Sequence, residues 1–116
     1  MPYSRGQMED EVTKAMIQWE KEYMGRGPIE ARTDIVRNMI IVTLKGILSQ
    51  AEKHLANNSE GMILIKRLRE QLVEQRRSEL EEIIFRVTST KVISLHTDLS
   101  TRTGERIFVF VTEKEI

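Results

Sequence analysis

A histidine and an aspartate two residues apart are the pair in this chain whose types and spacing could do chemistry. His96 and Asp98 lie in the segment SLHTDLS, whose alternation is typical of a β-strand, and residues two apart on a strand point to the same face. A carboxylate beside an imidazole can orient it as a base, and both groups can bind a metal. Ser94 and Ser100 share this face, but no third ligand and no nucleophile stands at an indicative spacing. We therefore favour a polar cluster at an interface over a catalytic site, and we predict neither a metal nor a cofactor.

Composition narrows the classes of function. The 116 residues carry 18 basic and 18 acidic side chains, whereas non-specific binding to nucleic acid needs a basic surface. There is no cysteine, which excludes disulfides and thiolate chemistry. No stretch reaches the roughly 18 consecutive apolar residues of a membrane span, and the polar N-terminus does not resemble a signal peptide. We expect one cytoplasmic domain over residues 1–116 that does not bind nucleic acid and does not insert directly into a membrane.

Helical periodicity predicts two helices in the first half of the chain. Spacings of three and four place the apolar side chains of residues 7–24, Trp19 among them, on one face, after a loose arm at residues 1–6. Ser49 and Glu52 have the spacing of a capping box, which predicts a short helix at 49–56.

Residues 59–87 predict one long helix around which the fold is organised. The segment is rich in strong helix formers and contains no proline, and Ser59 is the expected N-cap. Leu68 lies in its apolar stripe and is expected in the core. Arg69 and Arg76 fall close to this stripe, and we expect their stems to follow its edge with the charged heads in water. The alternative is an anion or carboxylate site inside a dimer groove.

Alternation of apolar and polar residues predicts two β-hairpins. The first joins strands at 30–36 and 39–45 through a two-residue turn, in which Asn38 tolerates the left-handed conformation better than Arg37 does. The second joins strands at 91–100 and 105–112. The first hairpin is expected to pair Val36 with Met39 and Ile35 with Ile40. The second is expected to pair Leu99 with Ile107, Thr97 with Val109, and Leu95 with Val111 on its core face, and Ser94 with Thr112, His96 with Phe110, and Asp98 with Phe108 on its other face.

The order helix–hairpin–helix–helix–hairpin predicts an α+β fold, in which one four-stranded, mostly antiparallel sheet carries the helices on one face. The expected core residues are Ile35, Val42, Leu95, Val109, Leu68 and Trp19. The second face of the sheet then mixes apolar and charged side chains, which usually marks an interface. We predict that it forms a homodimer or binds a partner. Its candidate residues are Arg32, Asp34, Met39, Ile41, Ser94, His96, Asp98, Phe108 and Phe110.

The segment Gly25-Arg26-Gly27-Pro28 is similar in composition to part of a phosphate-binding loop. It follows a helix instead of opening one, and Pro28 removes a backbone donor, whereas an anion site needs the N–H groups of a helix N-terminus. We interpret the segment as a helix terminator and turn, with Arg26 as an exposed contact.

Several short motifs resemble those of a bacterial family named after MpsC, a component of a Na+-translocating system that generates membrane potential. The resemblance covers nearly the whole chain but brings no established catalytic residues. It implies association with a membrane cation or bicarbonate uptake system whose transport parts are other proteins, so we expect a soluble accessory protein and no enzyme. The alternative is a small ligand-binding domain or enzyme that uses His96 and Asp98. The matching motifs are Gly25–Pro28, Leu44–Gly46, Ala51–Lys53, Val92–Ser100 and Thr103–Arg106.

Overall fold

Helices and hairpins follow one another in the predicted order in the computed structural model, which describes residues 3–116. The helices are α1 (Arg5–Tyr23), α2 (Gln50–Leu55), α3 (Ser59–Gln75) and α4 (Arg77–Thr88). The strands are β1 (Glu30–Val36), β2 (Met39–Lys45), β3 (Val92–Leu99) and β4 (Arg106–Thr112). They form one sheet in the order β1-β2-β4-β3, with each neighbouring pair antiparallel. The α+β class is confirmed.

Helix α1 begins two residues earlier than its periodicity predicts, because Ser4 and Gln7 form a capping box. The Ser4 hydroxyl accepts from the Gln7 N–H at 3.2 Å, and the Gln7 side chain accepts from the Ser4 N–H at 2.8 Å. Arg5 and Gly6 therefore belong to the first turn of the helix and not to a loose arm. The remainder of the predicted arm includes Met1 and Pro2, which lie outside the described residues.

The predicted long helix at 59–87 is wrong, since the chain breaks at Arg76 into α3 and α4. Arg76 leaves the helical conformation, with φ −117° and ψ 19°, and its guanidinium lies over the Tyr23 ring at 3.7 Å. The break changes which residues face inward. The buried residues are Gly61, Ile65, Arg69 and Val73 on α3, and Leu80, Ile83, Ile84, Val87 and Thr88 on α4.

The predicted burial of Leu68 is also wrong, because its side chain remains 53% exposed on the outer side of α3. The N-cap of α3 is Asn58 instead of Ser59, and its side chain accepts from the Gly61 N–H at 2.8 Å. Glycine is required at position 61, since a Cβ there would lie 1.6 Å from the Leu55 carbonyl oxygen. This close approach allows α2 to turn directly into α3.

The predicted register of the first hairpin is confirmed, with Val36 opposite Met39 and Ile35 opposite Ile40. The left-handed residue of its turn is Arg37, with φ 56°, although Asn38 tolerates this conformation better. Asn38 instead ties the turn to the end of β4, because its side-chain amide donates to the Thr112 carbonyl at 3.1 Å.

The predicted register of the second hairpin is wrong by one residue. Leu99 pairs with Arg106 and Leu95 pairs with Phe110, because the loop closes through a bond from the Ser100 N–H to the Glu105 carbonyl at 2.9 Å. A slip of one residue moves every side chain of a strand to the other face. The side chains of β3 keep their predicted faces, whereas those of β4 lie on the faces opposite to the predicted ones.

The exchange of faces on β4 changes which of its apolar residues are buried. Phe108 and Phe110 are fully buried against the helices, and Val109 lies half-buried on the other face. The placement of the two phenylalanines on the second sheet face, and of Val109 in the core, was therefore wrong. Trp19 packs edge-on to Phe108 with ring centroids 6.4 Å apart. The expected burial of Ile35, Val42, Leu95 and Trp19 is confirmed.

Candidate functional site

The face of the sheet that turns away from the helices is the larger candidate surface, and we call it the open face. Strand pairing places most of its side chains in three rows that cross the sheet from β1 to β3, with Glu30 and Lys45 beyond the first row. The rows are Arg32, Thr43, Ile107 and Asp98; Asp34, Ile41, Val109 and His96; and Val36, Met39, Val111 and Ser94.

Seven of the nine predicted candidates lie on the open face, since only Phe108 and Phe110 move away from it. Residues of β4 that were expected in the core take their place, and these are Ile107, Val109 and Val111. The surface therefore keeps the apolar character that the sequence predicted, although different side chains supply it.

Charge and apolar surface are segregated on the open face. The two central strands, β2 and β4, present mostly aliphatic side chains that are partly exposed, with Ile107 at 38% exposure. Charged groups stand on the outer strands, where Arg32 and Asp34 form a pair at 3.1 Å on β1, and at the end of β2, where Lys45 lies 3.9 Å from Glu30 of β1. A depression of about 460 Å³ extends across β1, β2 and β4 at the end of the face where β1 begins, beside Arg32, Lys45 and Ile107. An apolar centre with a charged rim is typical of a surface that binds protein.

His96 and Asp98 share the open face as predicted, but the side-chain ion pair of Asp98 is with another residue. The Asp98 carboxylate pairs with Lys66 of α3 at 3.2 Å and accepts from the Leu99 N–H at 2.8 Å. The Leu99 hydrogen bond and the nearby Lys66 ammonium lower the pKa of Asp98. The carboxylate is thus fixed as an anion at the edge of β3, where Lys66 rather than His96 holds it.

A second cluster, which lies between the helices and the sheet, consists of four charged residues, and we call it the buried ion cluster. Its members are Glu20, Glu52, Arg69 and Arg106. Glu20, Arg69 and Arg106 are each at least 97% buried. Two carboxylates and two guanidinium groups balance in charge, which is the condition under which ionised side chains tolerate burial.

Arg69 links the cluster. Its Nε and Nη2 donate to the two oxygens of Glu52, both at 2.9 Å, and Nη2 also donates to the Ile47 carbonyl at 3.2 Å. Its Nη1 lies 3.9 Å from a Glu20 oxygen. Arg69 thus joins α1, α2 and α3, instead of extending its head into water as we expected. The carboxylates it binds are its own chain's, and not those of a dimer groove.

The electrostatic environment shifts the pKa values of the two carboxylates in opposite directions. Burial raises the pKa of Glu20, and the attraction of Arg69 and Arg106 opposes this only in part. Burial also acts to raise the pKa of Glu52, but the hydrogen bonds from Arg69 and Ser49 outweigh it and lower that pKa. Glu52 is therefore the permanent counterion of Arg69, whereas Glu20 is the carboxylate with the weaker hold on its negative charge.

Arg106 enters the cluster from β4, on the same side as Phe108. Its Nη1 donates to the Thr97 hydroxyl at 2.8 Å, and burial lowers its pKa. Arg106 was not predicted as a site residue because the register expected from the sequence placed it on the opposite face of the sheet. Glu20 was not predicted either, although this residue follows Met16 by four positions and so lies on the inner stripe of α1.

The other predicted arginines serve the fold. Arg26 donates to the Leu48 and Gly46 carbonyls at 3.1 and 3.2 Å, so it closes the loop after β2 more than it presents a free contact. Arg76 pairs with Glu79 at 2.9 Å while it covers the Tyr23 ring. Both side chains hold neighbouring elements together.

A row of leucines on the outer side of α3 forms a further apolar surface, which we call the α3 leucine row. Leu64, Leu68 and Leu72 are spaced by four residues and therefore lie on one side of the helix. Leu64 and Leu68 are 56% and 53% exposed, and Ile63 beside them is 57% exposed. Contiguous apolar surface of this kind usually marks a contact with another molecule.

These features define a class of protein: an antiparallel α+β domain whose sheet has one face covered by helices and one open. A family model described as Na+-translocating membrane potential-generating system (MpsC) matches residues 4–114, and the chain belongs to the MpsC family. This confirms the resemblance that the sequence motifs indicated.

Two relatives from Bacillus subtilis (strain 168) are similar to this chain. Uncharacterized protein YbcI is 52% identical over 110 residues, which is 95% of this chain and 89% of YbcI. Uncharacterized protein YrhF is 30% identical over 97 residues, which is 83% of this chain and 80% of YrhF. No solved structure matches the chain.

Two features of residues 3–116 bear on the remaining classes of site. No helix there has both the length and the apolar character needed to cross a bilayer. Within the same stretch, no three His, Asp or Glu side chains come together in a group that could hold a metal ion.

Proposed function

We propose that this chain is a non-enzymatic accessory protein, which acts by binding other protein chains and serves a membrane cation system. The observation that carries the proposal is the open face, where an aliphatic centre on β2 and β4 lies between charged outer strands. In a two-layer domain that functions as a monomer, this face is expected to be polar.

The α3 leucine row supports the same class of function. It lies on the helical side of the domain, so the chain offers two separate apolar surfaces. A protein with two such surfaces can bind two chains at once, which suits an accessory component of an assembly. The membrane cation system is proposed from the family description alone, and the cytoplasm is its expected location.

A second candidate function is a small ligand-binding domain or enzyme that uses His96 and Asp98. One observation favours it: a groove of about 330 Å³ runs between α3 and β3, and Lys66, His96, Asp98 and Arg106 contribute to its walls. The groove brings several polar and charged side chains together, and groups of this kind fix the orientation of a small ligand in its site. We rank it second because the Asp98 carboxylate is already engaged by Lys66.

Photo-cross-linking in the native cells tests the proposal. A photoreactive residue at position 109 lies in the centre of the open face, and we expect it to capture a protein covalently. The matched control is position 86, which is exposed on α4 and lies on neither apolar surface, and we expect it to capture nothing specific. Mass spectrometry of the products then shows whether they are transport components, copies of this chain or both.

Two results would contradict the proposal. One is equal labelling from positions 109 and 86. The other is turnover of a small substrate by the purified protein that is lost in His96→Gln while the cross-link at position 109 is absent, which would favour the ligand-binding alternative.

A further inference from the structure

We infer that the open face binds a second copy of this chain, with a two-fold axis that runs parallel to the strands between β2 and β4. The inference rests on the proposed function, since it names the occupant of the same surface. It is carried by the order of the charged groups along the three rows. After a 180° rotation about this axis, groups of opposite charge, or a carboxylate and an imidazole, lie opposite each other.

Rotation by 180° about an axis along the strands reverses the order of the strands across the sheet but keeps each residue in its own row. Strand β1 then faces β3 of the second copy, and β2 faces β4. Each row therefore meets the same row in reverse. In a two-fold interface of this kind, each contact between two different residues occurs twice.

The first row places Arg32 opposite Asp98 of the second copy, and the second row places Asp34 opposite His96. Within one chain Arg32 also pairs with Asp34 and Asp98 also pairs with Lys66, but the Arg32 and Asp98 side chains are 78% and 80% exposed, so both keep donors and acceptors free for the second copy. The first contact joins a guanidinium and a carboxylate of opposite charge, and the second joins a carboxylate and an imidazole. Between them, Ile41 faces Val109, and Met39 faces Val111 in the third row. Aliphatic side chains thus meet in the centre while the charged groups meet at both rims.

The size of the surface sets the expected strength. Four strands about 4.8 Å apart and some six residues of about 3.3 Å each give roughly 400 Å² of flat area per copy. That is about half of the roughly 800 Å² per partner of a standard interface, so we expect a weak complex, with dissociation constants in the micromolar range. Face-to-face sheets pack about 10 Å apart, with strands within about 30° of each other. Long side chains such as Arg32 can span this distance between the sheets.

Charge reversal tests this geometry. In a homodimer, Arg32→Asp brings two carboxylates together at both rims, and Asp98→Arg brings two guanidinium groups together at both rims. Each variant alone should therefore associate about tenfold more weakly or worse. In an equimolar mixture, one copy has aspartate at both positions and the other has arginine at both. Every rim contact is then complementary again, and the mixture should recover association close to that of the unaltered chain.

Sedimentation equilibrium of the full chain measures these affinities. Arg86→Asp and Asp10→Arg are matched controls on the outer surfaces of α4 and α1, and they should associate like the unaltered chain. Circular dichroism of each variant checks that it is folded, as expected for substitutions at exposed side chains.

Two outcomes would overturn the inference. One is a monomeric unaltered chain at about 100 μM, well above the micromolar range expected for a weak complex. The other is a mixture that associates no better than its components, which is the result expected if the axis ran across the strands and placed Arg32 opposite Asp34. A specific cross-link from position 109 to another protein, found together with either result, would leave the proposed function standing without the second copy.

Discussion

Replacement of Arg69 by methionine is expected to lower the free energy of unfolding by about 3–5 kcal/mol, the usual cost of removing one partner from a buried ion pair. The change leaves Glu20 buried without its nearest cation and removes two hydrogen bonds of 2.9 Å from Glu52. It also releases the only side chain in the described residues that joins α1, α2 and α3 by charge. Because domains are stable by only about 5–15 kcal/mol, the variant should be close to unfolding.

Urea denaturation measures this loss, and two comparisons make it specific. Arg67→Met is the matched control on the same helix, where the side chain is exposed, and it should change stability by no more than about 0.5 kcal/mol. Addition of Glu20→Gln and Glu52→Gln to Arg69→Met should recover much of the loss, because the two carboxylates that Arg69 neutralised are then removed. A loss for Arg69→Met no larger than that for Arg67→Met would contradict the buried ion cluster.

Replacement of Phe108 by alanine is expected to cost about 3–5 kcal/mol, as for other fully buried aromatic side chains. Phe108 is 0% exposed and lies between Trp19 and Phe110, with ring centroids at 6.4 and 6.2 Å. Its loss would therefore leave a cavity where the helices meet the centre of the sheet.

The neighbouring residue is the control, since Ile107 points to the open face and is 38% exposed. Ile107→Ala should cost well under the value for Phe108→Ala when both are measured by urea denaturation at a protein concentration low enough to keep the chain monomeric. The opposite ranking would show that β4 has the register we first predicted from the sequence.

Much of the fold follows from local pattern. The first hairpin could be predicted because all the charged residues of its strands fall on one face: Ile35, Ile40 and Val42 stand on the core side, whereas Arg32, Asp34 and Lys45 stand on the other side among apolar residues. Strand β4 offers no such contrast, since Phe108 and Phe110 alternate with Ile107, Val109 and Val111 and both faces are apolar. Its register depends on the loop, where the bond between Ser100 and Glu105 is set by geometry that composition does not reveal.

The candidate sites divide in the same way. The open face could be predicted because alternation on β1, β2 and β3 identifies outward residues such as Arg32, Ile41 and His96. The buried ion cluster could not, since charged residues are rarely buried and its members come from distant parts of the chain. Burial of Glu20 can be predicted only when Arg69 and Arg106 are known to lie near it.

Hydroxyl-radical footprinting tests most directly whether the open face is covered by another protein chain. Met39 and His96 report on this face, and Phe85, which is 49% exposed on α4, is a reactive control on the opposite side. We predict that Met39 and His96 are oxidised several-fold more slowly in the native cells than in the purified, diluted protein, while Phe85 reacts alike in both. Equal oxidation of Met39 and His96 in the two settings, or protection of Phe85 in their place, would contradict the account.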